Sequence, residues 1–100
     1  MINKVPIVKD IKSFLPLMRL YGYSFFKNNC TKTVIYDALD CVIEIGVNLL
    51  NGLITFKSYT NNKPCAINIE DKKYLLKNIS HLVKWINPDE LEDNQWNQDT

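Results

Sequence analysis

The residues of this chain with the chemistry to carry a reaction are few: three cysteines (Cys30, Cys41, Cys65), a single histidine (His81) and the carboxylates Asp37, Asp40 and Glu44. A nucleophilic thiol needs an imidazole or another cationic neighbour to hold it as thiolate. Cys41 falls on the core side of an apolar alternation, Cys65 sits in a second, shorter one, and His81 lies off the main apolar stripe of its segment. The carboxylates stand near a turn with no glycine-rich phosphate loop beside them. Walker, dinucleotide-binding, H-E-x-x-H and G-x-S-x-G signatures are all missing from the sequence. There is no C-x-x-C to suggest zinc or thioredoxin-like chemistry, and an odd cysteine count argues against a disulfide framework. The sequence therefore predicts a protein that is not an enzyme, with no catalytic residue, metal ligand or cofactor.

Recognition is better supported. Tyr74, Asn78, His81 and Trp85 recur at i, i+4, i+7 and i+11, a second stripe beside the apolar stripe of the same segment. Tyrosine and tryptophan are enriched at interface hot spots. Trp96 sits in the polar stretch Glu92-Asp93-Asn94-Gln95-Trp96, where an aromatic ring has nothing local to pack on. The net charge of +1 conceals a division: all twelve basic residues and six acidic ones precede Pro88, a balance of +6, and the other five acids lie between Asp89 and Asp99. An acidic segment of this kind is either a solvated end or a ligand for a basic partner. The expected partner-binding residues are Tyr59, Tyr74, His81, Trp85, Glu92, Asp93 and Trp96.

These features predict a small protein-binding module. Within that class they suit an immunity-type or antitoxin-type inhibitor covering a toxin with a basic active-site cleft, because complementary charge speeds encounter and penalises wrong partners. A phage-encoded inhibitor of a host defence protein carries the same signature. A nucleic-acid-binding module using the basic body is the alternative from a different class, although the lysines are scattered and there is a single arginine. A homodimer is also compatible. No apolar run reaches the roughly 20 residues of a membrane span, and the first residues lack the apolar core of a signal peptide, so cytoplasm is the expected compartment, in a bacterial setting for the toxin-inhibitor reading.

The elements that must position these residues follow from periodicity. Cys41 to Tyr59 alternates apolar and polar residues around a single Asn51-Gly52, the pair favoured in a type I′ hairpin turn. That turn would place Leu50 opposite Leu53, Asn48 opposite Thr55, Gly46 opposite Lys57 and Glu44 opposite Tyr59. One face would then hold Cys41, Ile43, Ile45, Val47, Leu49, Ile54, Phe56 and Ser58, and the other would expose Val42, Leu50, Leu53 and Tyr59. Residues 23–26 and 31–36 read as short strands that pair as a first hairpin, with a helix over 32–39 as the rival. Cys65 to Ile69 reads as a third strand of the meander. The spacing predicts a helix over 7–21, kinked or started late by Pro16 and stopped by Gly22. A longer C-terminal helix is expected from the stripe Leu75, Leu76, Ile79, Leu82, Val83 and Ile86, ended by Asn87-Pro88. The expected fold is α+β: an antiparallel sheet of three to five strands, the 41–60 hairpin central, with an N-terminal and a C-terminal helix on one face. Residues 1–88 form the single domain and 89–100 a mobile acidic tail.

Overall fold

The structure, a computed structural model, describes residues 4–36 and 40–93. It is mixed α+β. Strands β2 (Ser24–Phe26), β3 (Asn29–Tyr36), β4 (Cys41–Asn48), β5 (Ile54–Thr60) and β6 (Lys63–Cys65) form an antiparallel meander in the order β2-β3-β4-β5-β6. Strands β1 (Val5–Val8) and β7 (Val83–Ile86) form a separate two-stranded antiparallel ribbon. The helices are short: α1 (Ile11–Met18), α2 (Ile69–Leu75), a 3-10 helix (Lys77–Leu82) and α3 (Pro88–Asp93).

Strand alternation determines the core. Along β4, Cys41, Ile43, Ile45 and Val47 are buried, and Val42, Glu44, Gly46 and Asn48 are not. Phe14 and Met18 of α1, Leu76, Ile79 of the 3-10 helix, Val8 and Val83 join them in one cluster with Tyr23, Cys30 and Ile54. Helix α1 begins where Asp10 accepts a hydrogen bond from the Lys12 N–H (3.1 Å) and another from the Ser13 hydroxyl (2.8 Å), the arrangement that makes aspartate a good N-cap. Ile7, expected in this helix, instead pairs with Lys84 in the ribbon. Pro16 is accommodated inside the helix. The exit is a Schellman turn: Tyr23 N–H donates to the Met18 carbonyl and Gly22 N–H to that of Arg19, with Gly22 at φ +89°. This turn brings Tyr23 back against Phe14, edge to face with ring centroids 5.6 Å apart.

The central hairpin keeps its predicted faces but changes its register. Gly46 lies opposite Thr55, Glu44 opposite Lys57 and Val42 opposite Tyr59, two residues away from the type I′ expectation. The connection is a four-residue loop. Asn48 Oδ1 accepts from the Leu50 and Asn51 N–H groups, the Gly52 N–H donates to the Asn48 carbonyl at 2.7 Å, and of Asn51 and Gly52 only Gly52 has positive φ. The asparagine side chain captures backbone donors that a two-residue turn would leave elsewhere. Because a two-residue slip preserves the side-chain face, the core assignment is unaffected. Positive φ at both central residues, as in type I′, occurs one connection later, at Asn61 and Asn62 between Thr60 and Lys63.

The C-terminal half departs most from expectation. The stripe from Leu75 to Ile86 is half-buried or buried throughout, but it spans a helix end, a 3-10 helix and a strand. Asn68 caps α2 by accepting the Asp71 N–H at 2.8 Å, so residues 66–69 are not a strand beyond Cys65. The regular helix stops at Leu75, before Asn78, Ser80 and His81, residues of low helix propensity. Val83-Lys84-Trp85-Ile86, β-branched or aromatic at all positions but Lys84, pairs with β1 instead. Among the described residues, the expected long C-terminal helix over the sheet is replaced by these shorter elements. Pro88 starts α3 at the position where its missing N–H costs nothing, so residues 89–93 are helical. Asp37 and residues 94–100, with Trp96, lie outside the described residues.

Candidate functional site

The register brings an exposed apolar row across four strands. Ile35 on β3 is opposite Val42 on β4, Val42 is opposite Tyr59 on β5, and Tyr59 is opposite Pro64 on β6. Ile35 keeps 72% of its surface exposed, Val42 43% and Tyr59 42%. The next row along the same face is Thr33, Glu44 and Lys57, and the one after it Thr31, Gly46 and Thr55. A half-solvated antiparallel sheet normally presents polar residues outward, so the apolar row is the departure that calls for an explanation.

A hollow of about 470 Å³ opens at this end of the sheet, lined by Ile35, Asp40, Cys41, Val42, Tyr59, Asn61 and Asn62. Its floor is apolar, and its rim carries one carboxylate and two amides. Asp40, Asn61 and Asn62 all adopt positive φ (51°, 53° and 66°), a conformation that Asp and Asn tolerate better than other side chains. An anchoring side chain with an apolar stem and a polar or cationic head fits that distribution of chemistry.

Cys65 occupies a smaller hollow at the β5–β6 edge with Phe56, Lys57, Ser58, Tyr59 and Pro64. Its Sγ lies 3.2 Å from the Ser58 hydroxyl and 3.4 Å from that of Thr60, and the Ser58 hydroxyl also donates to the Cys65 carbonyl. The Ser58 contact, then that of Thr60, lowers the Cys65 pKa below the ordinary thiol value against an opposing effect of burial. Burial raises the Cys41 thiol, and raises that of Cys30 to about 11. Cys65 alone is exposed among the three. Iodoacetamide at neutral pH is expected to label Cys65 first and to reach Cys30 and Cys41 only on unfolding. Ser58→Ala raises the Cys65 pKa, lowers its thiolate fraction and slows that labelling; peptide mapping of the labelled sites checks both outcomes, and prior labelling of Cys30 or Cys41 contradicts them.

No family model, curated protein or solved structure matches the chain. Among the described residues, no group of three or more His, Cys, Asp or Glu side chains is placed to hold a metal ion, and no helix is long and apolar enough to cross a membrane.

Of the residues singled out from sequence, Tyr59 joins the apolar row. Tyr74, Asn78, His81 and Trp85 do not form one helical stripe: Tyr74 is on α2, Asn78 and His81 on the 3-10 helix and Trp85 on β7. Trp85 is half-buried against the core, opposite Pro6, with Lys73 Nζ 5.7 Å from its ring. Tyr74 is exposed, with Lys77 Nζ 4.2 Å from its ring centroid. The backbones of Glu92 and Asp93 belong to α3. Leu50 is exposed in the loop, but Leu53 is bridged to Ile7 and so leaves the open face. Ile35, Pro64 and the Asp40/Asn61/Asn62 rim were not predicted as site residues. The available signal was the run Thr31-Lys32-Thr33-Val34-Ile35, in which the outward positions are threonines until Ile35 breaks the pattern.

Proposed function

We propose that this chain is a non-catalytic binding module that places the open face of its sheet on the surface of another protein. The observation that carries the reading is the exposed cross-strand row Ile35, Val42, Tyr59 and Pro64. Apolar side chains aligned on adjacent strands gain from being covered together, and the carboxylate and amides at the rim of the adjoining hollow add directional contacts. The finer reading is an inhibitor of the immunity or antitoxin kind, acting in the cytoplasm on a toxin with a basic cleft. The acids of the C-terminal segment support it: Asp89, Glu90, Glu92 and Asp93 fall within α3, and a concentrated negative charge steers a basic partner.

The test starts from partners crosslinked in the native host, purified and titrated against wild type, Tyr59→Ala and Val42→Asp. Truncating a central aromatic at an interface costs about 2 kcal/mol or more, roughly a 30-fold loss of affinity. Both variants are expected to reach that loss with circular dichroism unchanged. A protein partner that binds both variants as tightly as wild type refutes the reading. So does self-association of the pure chain that Val42→Asp abolishes, because the row would then be an interface between copies.

A further inference from the structure

The opposite end of the sheet has different chemistry. Between Asp10 and Asp37 the sequence contains no acid, while Lys12, Arg19, Lys27 and Lys32 all fall there. The fold gathers three of these cations around the β2–β3 hairpin, each near an aromatic ring. Arg19 Cζ is 5.9 Å from the Phe25 ring centroid, Lys27 Nζ 5.5 Å from that of Phe26, and Lys32 Nζ 5.7 Å from that of Tyr23. Tyr23 is buried, but Phe25 and Phe26 remain 45% and 69% exposed. They are successive residues of the edge strand β2, so their rings project to opposite faces of the hairpin. The closest carboxylate in the strand register is Glu44, opposite Thr33 and two positions beyond Thr31.

Phe25, opposite the buried Cys30, and Phe26, opposite Asn29, leave much of their ring surface open to solvent, and flanking cations set the sign of what can cover them. A neutral apolar partner would have to desolvate Arg19 and Lys27. An acidic protein would satisfy the cations and leave the rings without a role. A nucleotide satisfies both, with phosphate on the cation and base on the ring face, and only an unpaired base is free to stack in this way. We propose that the β2–β3 hairpin binds single-stranded nucleic acid, with Arg19, Lys27 and Lys32 taking phosphates and Phe25 and Phe26 stacking bases. This surface is separate from the apolar row: Asn29 and Ile35 are six residues apart on β3, about 20 Å of strand.

The experiment is fluorescence anisotropy of a short labelled oligothymidylate with the whole chain, titrated over a range of salt. Three neutralised phosphates give a slope of log affinity against log salt of about −2. Arg19→Gln and Lys27→Asn are each expected to flatten that slope by about 0.7; asparagine suits the positive φ of Lys27. Phe26→Ala is expected to weaken binding about 5-fold or more at every salt concentration without altering the slope. Val42→Asp, which tests the apolar row, is expected to leave oligonucleotide binding unchanged, so the two readings fail independently. The proposal is overturned by an absence of binding at low salt, by affinity that survives Phe26→Ala, or by polyglutamate or a duplex of the same length binding as tightly as the single strand.

Discussion

Replacing Gly52 with alanine is expected to destabilise the protein by about 3 kcal/mol, read as a lower urea midpoint with an unchanged denaturant slope. Two independent costs coincide at this position. Gly52 sits at φ +77°, a region that costs a residue with Cβ roughly 1–2 kcal/mol. A Cβ there would also meet the Val8 carbonyl oxygen at 2.9 Å and the Val8 nitrogen at 3.4 Å. Those are backbone atoms that cannot rotate aside, and the Val8 N–H donates to the Gly52 carbonyl at 2.8 Å. The substitution must therefore move the hairpin loop off β1 and weaken the bond that joins sheet to ribbon. Gly46→Ala provides the contrast. Its φ lies outside the left-handed region and the added Cβ meets only side-chain atoms, Thr55 Oγ1 at 3.1 Å and Thr31 Cγ2 at 4.0 Å, so its cost should be clearly smaller. Equal costs for the two would mean that neither the positive φ nor the contact with Val8 sets Gly52 apart.

The same loop shows what could be read from sequence. The alternation along Cys41 to Val47 and Ile54 to Ser58 identified the buried face correctly, because side-chain direction has period two and does not depend on the turn. The register did depend on it. Asn51-Gly52 satisfies a type I′ pattern as a dipeptide, but Asn48 three residues earlier competes by taking two backbone N–H groups, and dipeptide reasoning has no term for that. In the C-terminal half the stripe from Leu75 to Ile86 predicted burial and failed on conformation. Apolar residues spaced by three and four positions fit a helix, but they are met as well by a helix end, a 3-10 helix and a strand packed in succession. What selects the strand is pairing with Val5–Val8, nearly eighty residues away, which no local window contains. The candidate site divides along the same line. Val42 and Tyr59 were visible within one hairpin, whereas Ile35, Pro64 and the polar rim required knowing that β3 and β6 flank it. The Tyr74-to-Trp85 stripe, built on helical spacing alone, dissolved with the helix.

Phe14→Ala is expected to cost about 4 kcal/mol, within the range for emptying a fully buried aromatic site, and to lower Tm by roughly 15 °C or more in a domain of this size. Phe14 has no exposed surface, lies on one turn of α1 with Met18, and meets the Tyr23 ring edge to face at an interplanar angle of 78°, a geometry worth more than its area alone. Helix α1 is only eight residues long and contains a proline, so its own hydrogen bonds cannot hold it without the docked side chains. Removing the ring therefore loosens the helix, the Schellman turn behind it and Tyr23 together. The Tyr23 phenol, whose pKa burial raises to about 12, should then titrate closer to the ordinary tyrosine value of about 10, a change followed by ultraviolet absorbance under conditions where the variant is still folded. Leu15→Ala, one position along on the exposed side of the helix, should stay within about 0.5 kcal/mol of wild type. A Phe14→Ala cost as small as that of Leu15→Ala would show that α1 is not anchored to the sheet through this ring, and that Ile43, Ile45 and Val47 are covered by other residues.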